Sequence, residues 1–311
     1  MAAVGVPAQT PQTQTPQTQT PQTPTADGEE GAQRRGPAGY LLMVPGTAWL
    51  LIFFAVPTLT LAASSLYDPS GSLFTGYQMT WHWANYTDAL STYGGTYVRS
   101  FCYALLATLT CLLLGFPLAY AIAFKAGRWR NLMLVAVIAP FFTSFLVRTL
   151  SWKLILGDQA FVTDLINALP GIDDVRLLAT PFAVVTGITY NFLPFMVLPL
   201  YASLEKIDLR LLEAGEDLYA SPFTTFRLVT LPLAMPGLVA GTLLTFIPAA
   251  GDYINAELLG NPKTRMIGND IQDLFAASNI PTASALSVML MLAIMLMVLV
   301  YVRRSGTEEL V

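Results

Sequence analysis

Six long apolar stretches limit what this chain can fold into. They run from Tyr40 to Leu66, Val98 to Phe124, Leu132 to Leu150, Pro181 to Tyr201, Leu233 to about Ala250, and Ala283 to Val302. A helix that crosses a bilayer needs about 20 mostly apolar residues, and each stretch reaches or approaches that length. Charged residues make up only 12% of the chain, about half the share of a soluble domain. The pattern predicts an all-α, polytopic membrane protein with six transmembrane helices. The fifth stretch is the weakest, interrupted by Pro236, Gly237, Gly241 and Pro248. Such breakers are tolerated where neighbouring helices or a cavity satisfy the freed backbone groups.

The first 38 residues are different material. From Pro11 to Thr25 the chain reads PQTQTPQTQTPQTPT. A polar, Pro-rich repeat without apolar periodicity cannot bury enough surface to offset its ordering entropy. The expected organisation is a disordered tail over 1–38 and a permeation domain over 39–311. The charged and apolar regions begin too late for a signal peptide. Arg34-Arg35 precedes a run long enough to span, so a twin-arginine signal does not fit.

Ten of the basic residues fall on the side that holds the N-terminus, and six fall on the other: Arg99, Arg148, Lys153, Arg176, Lys263 and Arg265. The positive-inside rule then places both termini in the cytoplasm. Most tryptophans sit near predicted span ends, as interfacial anchors do. Arg148, near the end of the third span, is expected at the interface or in a salt bridge.

Composition also excludes chemistry. Cys102 and Cys111 lie nine residues apart in one apolar run and face opposite sides of a helix, so they do not pair. His82, between Trp81 and Trp83, is the only histidine, and no zinc set can be built around it. No constellation of catalytic groups stands out, which argues against a membrane-embedded enzyme. No basic run suggests nucleic acid. No Asp, Glu or Lys falls deep inside a predicted span, which argues against a transporter driven by an ion gradient.

The connection between the fourth and fifth spans, about 205–232, is long and charged. Asp208 to Leu218 reads as a short amphipathic helix. Ser221 followed by Pro222 is an N-cap with proline at the first helical position, so a second helix is expected from Pro222 towards Thr230. The loop is therefore predicted to be a helix-turn-helix at the membrane surface. It could rest on headgroups or dock a soluble partner.

Glu213-Ala214-Gly215-Glu216-Asp217-Leu218-Tyr219, nine residues, then Val229-Thr230-Leu231-Pro232 resembles the EAA loop of ABC importer permeases. That pattern is Glu-Ala-Ala, three residues, Gly, nine residues, Ile, one residue, Leu-Pro. Gly215 stands where the second alanine is usual, and Tyr219 where the glycine is usual. The resemblance covers nearly everything from Tyr40 onward. It is nearest the spermidine/putrescine permease group, through Leu193 to Tyr201, Pro248 to Gly251, Leu258 to Gly260 and Ile267 to Asn269.

The resemblance implies a type I ABC importer permease fold and half of a translocation path. It implies coupling residues at Glu213, Ala214, Gly215, Asp217, Tyr219, Ser221, Leu231 and Pro232. Expected partners are a second permease subunit, two cytoplasmic ATPase subunits and an extracytoplasmic solute-binding protein. The chain has no Gly-x-x-x-x-Gly-Lys-Ser/Thr loop, so ATP and magnesium belong to the ATPase and no cofactor is expected on this chain. Another cargo (a different cation, an amino acid, a sugar, an iron complex) fits the same class.

A polyamine path should offer carboxylates and aromatic faces, since ammonium groups gain from both. Asp252 and Glu257 after the fifth span, and Asp158 after the third, are the candidate acids. Phe141, Tyr190, Phe192 and Phe195 are the candidate aromatics; each could equally serve packing.

Overall fold

The computed structural model describes residues 37–72, 75–168 and 175–304. The repeat tail, Met1 to Gly36, lies outside the described residues. The chain forms two compact units, Met1–Phe54 and Ala55–Val311. In the first unit, α1 (Pro37–Leu50) tolerates Pro45 and passes into a wide turn, Leu51–Ala55. Trp49 and Phe53, one turn apart, hold their rings 4.1 Å from each other.

The second unit opens with α2 (Val56–Ser64), then α3 (Ala84–Tyr120). Next come α4 (Arg130–Ile138), α5 (Phe145–Ile155) and α6 (Phe161–Asn167). The long α7 (Pro181–Leu204) leads into α8 (Leu209–Asp217), α9 (Pro222–Thr225) and the single turn α10 (Leu231–Leu233). Last are α11 (Met235–Ala250), α12 (Ile254–Leu259), α13 (Ile267–Ala276) and α14 (Ile280–Arg304). Among the described residues there is no β-strand.

Among the described residues, four helical runs are long and apolar enough to cross a membrane: Met43–Ser64, Ala84–Lys125, Pro181–Leu204 and Ile280–Arg304. Two further pairs qualify if each bent pair is one span. Gly127–Phe142 with Phe145–Ile155 turns through 97°, and Pro222–Leu233 with Met235–Ala250 turns through 66°. The expected third span is thus not one straight helix. Pro140 ends α4 in a 3₁₀ turn, and Thr143 and Ser144 are extended before α5 begins. Proline lacks the N–H that would continue the helix. The second span also starts earlier than hydropathy suggests, because Ala84 to Tyr97 is helical although polar.

The core is a packing of α3, α7 and α11. Small residues let the backbones approach, as is usual where the lipid supplies no hydrophobic drive between helices. Ala104, Ala107 and Ala119 of α3 are fully buried with Ile188, Met196 and Leu200 of α7 and Ala249 and Ala250 of α11. Around this core α13 is tied to α3: Ile267 N–H donates to Ser100 Oγ at 2.6 Å, and Arg99 Nε donates to the Arg265 carbonyl at 2.6 Å. Both cysteines are free thiols. His82 is half-buried, and its backbone N–H donates to the Leu66 carbonyl at 3.0 Å.

Candidate functional site

Two places concentrate the residues expected to matter. The first is the turn between α8 and α9. Asp208 starts α8, its Oδ1 accepting from Arg210 N–H at 3.0 Å. The helix ends with Tyr219 in the left-handed region, at φ +58°. Ala220 N–H then donates to the Gly215 carbonyl at 3.1 Å, the six-to-one bond of a Schellman closure. The residue that carries the positive φ is normally glycine, because a Cβ there clashes with backbone oxygen. Tyr219 adopts the glycine conformation without being glycine, so the expected turn is kept at a strain cost of about 1–2 kcal/mol.

Ser221 caps α9, its Oγ accepting from Thr224 N–H at 3.2 Å, with Pro222 at the start of the helix. The expected run to Thr230 continues as a wide turn, Phe226–Thr230. A Cβ added at Gly215 would meet Thr225 Oγ1 at 3.0 Å. The second departure from the pattern therefore lets α9 close on α8. Glu213, Ala214, Asp217 and Pro232 are exposed, and Leu231 is half-buried. Leu218, Tyr219, Phe223 and Leu228 stand 81%, 97%, 72% and 68% exposed. An apolar rim therefore surrounds the tip of the loop. Behind it, Arg130 at the start of α4 donates to Tyr201 Oη and the Glu205 carboxylate, bracing the end of α7.

The second place lies where α5, α7, α11 and α12 meet. Asn191 is the eleventh residue of α7 and is buried. Its Nδ2 donates to Thr149 Oγ1 and to Asn255 Oδ1, each at 3.1 Å. Asn255 in turn donates to Asp252 twice, from N–H to Oδ1 at 2.9 Å and from Nδ2 to Oδ2 at 2.6 Å. Gly187 makes this meeting possible, since a Cβ there would lie 2.7 Å from Asn255 Oδ1. Asp252 follows the end of α11 and is 7% exposed.

Glu257 is exposed and accepts from Asn269 Nδ2 at 3.2 Å. Asp158 lies exposed in the turn after α5. Of the three expected acids, then, only Asp252 belongs to the buried cluster.

The expected aromatics are brought together. Phe141 meets Phe195 edge-on at 5.0 Å, and Phe195 stacks on Phe192 at 6.1 Å. Phe192 continues to Phe145 at 6.2 Å. Tyr190 stands edge-on to Trp152 at 5.4 Å. Arg148 lies over this row, its guanidinium carbon 5.1 Å from the Phe141 ring centre and 5.7 Å from that of Phe145.

The salt bridge expected as one possibility for Arg148 is not formed: the residue lies in α5, is 8% exposed, and makes no salt bridge among the described residues. Its Nε and Nη1 are buried without a hydrogen-bond acceptor. Ring faces return about 0.5–2 kcal/mol, while an arginine at the centre of a span costs about 2.5–3.5 kcal/mol. Beside it opens a cavity of about 370 Å³, lined among others by Pro140, Thr143, Ser151, Trp152 and Tyr190. A second cavity of about 310 Å³ shares Pro140 and Tyr190.

The sequence reading missed Asn191, Asn255, Thr149 and the central place of Arg148. A polar residue in an apolar run is the available signal: Thr149, Arg148 and Asn191 each stand inside a predicted span.

The family of binding-protein-dependent transport system inner membrane components matches residues 111–305. The chain is similar to the spermidine/putrescine transport system permease protein PotB of Haemophilus influenzae, 38% identical over 261 residues, covering 83% of this chain and 91% of that protein. PotB of Escherichia coli K12 is 38% identical over 267 residues, covering 85% and 96%. A crystal structure of a bacterial ABC transporter involved in alginate import superposes with a TM-score of 0.64 at 18% identity, covering 88% of this chain and 96% of that one. With its apolar spans, bent third and fifth crossings and helical loop before Leu231-Pro232, this chain belongs to the family of inner membrane components of binding-protein-dependent transport systems.

Proposed function

We propose that this chain is one permease subunit of an ATP-driven importer in the bacterial plasma membrane, that it forms half of the path, and that its cargo is a polyamine. The observation that carries the importer reading is the α8–α9 turn. Its geometry is held by local bonds, it keeps a left-handed residue where the family pattern has glycine, and its rim of apolar side chains is uncovered. Such a rim suits a groove on a soluble ATPase. On this reading the turn and both termini face the cytoplasm, ATP and magnesium bind the ATPase subunits, and a binding protein delivers cargo from the opposite side. Closing of the ATPases moves the α8–α9 element, and the helix bundles rock between inward and outward access.

The cargo reading is supported by the PotB relatives, which are spermidine/putrescine transport system permease proteins. The buried Asp252 and the aromatic row offer what an ammonium chain needs. One observation favours a second reading: Arg148 would suit an anionic cargo.

Uptake of labelled spermidine and putrescine by cells with and without the gene tests both. Deletion should abolish ATP-dependent uptake, and Glu213→Ala should cripple it while the protein stays in the membrane. Unchanged polyamine uptake in cells with no other polyamine importer removes the cargo reading. Uptake of an anionic solute instead, lost on deletion, establishes the second.

A further inference from the structure

Arg148 carries a full positive charge into a place where no counter-ion stands among the described residues. Its Nε and Nη1 are buried and unpartnered, and it borders the cavity of about 370 Å³. The ring faces of Phe141 and Phe145 offset only part of the cost of desolvation. An acceptor of negative charge is missing, and three features identify it.

The first is depth. Thr149, next to Arg148, is hydrogen-bonded to Asn191, which lies ten residues from the start of α7 and thirteen from its end. At 1.5 Å per residue that is about 15 Å from the nearer end, or roughly half the thickness of the bilayer core. A lipid phosphate does not reach that depth. The second is what this chain can offer. Asp252, the carboxylate of the neighbouring cluster, is engaged by Asn255. The helices α7, α11 and α14 contain no Asp or Glu, so at this depth a second copy of this chain would bring only its own Asp252, already bonded to Asn255. The third is the surface. On α5, Val147 is exposed on the cavity wall, Leu146, Leu150 and Leu154 are exposed elsewhere on the helix, and Phe142 is exposed just before it. An apolar helix face of another membrane protein would cover them.

We infer that Arg148 is completed by an aspartate or glutamate at mid-depth in a second, different permease subunit, whose side chain enters the cavity beside Tyr190. The inference rests on the reading of this chain as one of a pair of permeases. It makes the pair heteromeric and places a buried ion pair between its members. Arg148 is then a determinant of which subunit can be a partner, since a chain without the acid would leave the charge uncompensated.

The experiment uses the assembled transporter, with this chain tagged and co-expressed with the second permease and the ATPase. Arg148→Met should lower recovery of the second permease at least ten-fold, and should lower the melting temperature of whatever complex forms. Arg148→Lys should restore part of both. Arg148→Glu should abolish pairing, and one acid-to-arginine substitution among the spans of the second permease should restore it.

The inference is overturned if the Arg148→Met complex assembles to the normal level and melts at the same or a higher temperature. It is also overturned if uptake alone is lost while assembly and melting stay intact, for then the acceptor belongs to the cargo. If Arg148→Met does not accumulate, the charge exchange decides, and failure of every exchange overturns the pairing. A wild-type complex that imports no polyamine, but whose pairing responds as described, removes the cargo reading and leaves this one standing.

Discussion

The α8–α9 turn and the buried cluster around Asn191 are built on opposite plans. Every bond that shapes the turn joins residues within five positions of each other: Asp208 with Arg210, Gly215 with Ala220, Ser221 with Thr224. Its apolar side chains stay outside. The cluster joins residues as far apart as Thr149 and Asn255, more than a hundred positions, and hides them among aromatic rings. A locally closed element keeps its shape when pushed, which suits a part that receives motion. A cluster assembled from four helices holds only in one arrangement of those helices, which suits a part that changes when they move.

The comparison can be broken most sharply at Glu213. If the turn works as a docking element, Glu213→Arg should lower cargo uptake about a hundred-fold, equivalent to roughly 2.7 kcal/mol, with no change in the amount of protein in the membrane. Normal uptake would leave the turn as a surface feature. Next in size is Asn191→Leu. It removes two buried hydrogen bonds and leaves Thr149 Oγ1 without its donor, while Asn255 Oδ1 keeps only Thr149, so thermal unfolding in detergent should show a loss of about 1–3 kcal/mol. A variant as stable as the parent would mean that the cluster does not hold these helices together.

Asp252→Asn should lower uptake about ten-fold near neutral pH, roughly 1.4 kcal/mol. The smallest effect belongs to Tyr219→Gly. Relief of the left-handed strain, less the added freedom of glycine in the unfolded chain, should leave a gain of up to about 1 kcal/mol. A loss would mean that the exposed ring makes a contact of its own.

The same contrast explains what the sequence disclosed. Ser221-Pro222, Asp208 and the amphipathic leucines act through neighbours, so the turn was legible, whereas its left-handed position was marked only by the glycine of the family pattern. The identity at that position was the surprise, because tyrosine pays the cost that glycine avoids. The apolar spans were legible from length alone. The 97° break was only hinted at by Pro140, since a proline can kink a helix or end it. Asn191, Asn255 and Arg148 were not legible as a group, because nothing in their spacing says that α5, α7 and α12 converge. Only Gly187, whose missing side chain admits Asn255, marks the crossing, and a lone glycine in a span has many meanings.

One feature of α3 has mechanical weight. At 37 residues it is about 55 Å long, nearly twice the apolar thickness of a bilayer. Its polar first fourteen residues, Ala84 to Tyr97, extend it by about 20 Å, and Tyr97 Oη bonds the Leu286 carbonyl of α14 at 2.5 Å. A rigid arm of that length turns small rotations into travel: a tilt of about 10° about the middle of the bilayer carries its tip through roughly 6 Å, about the width of an alkyl chain. The N-terminal end of this helix is a lever whose throw is set by the length of one continuous helix.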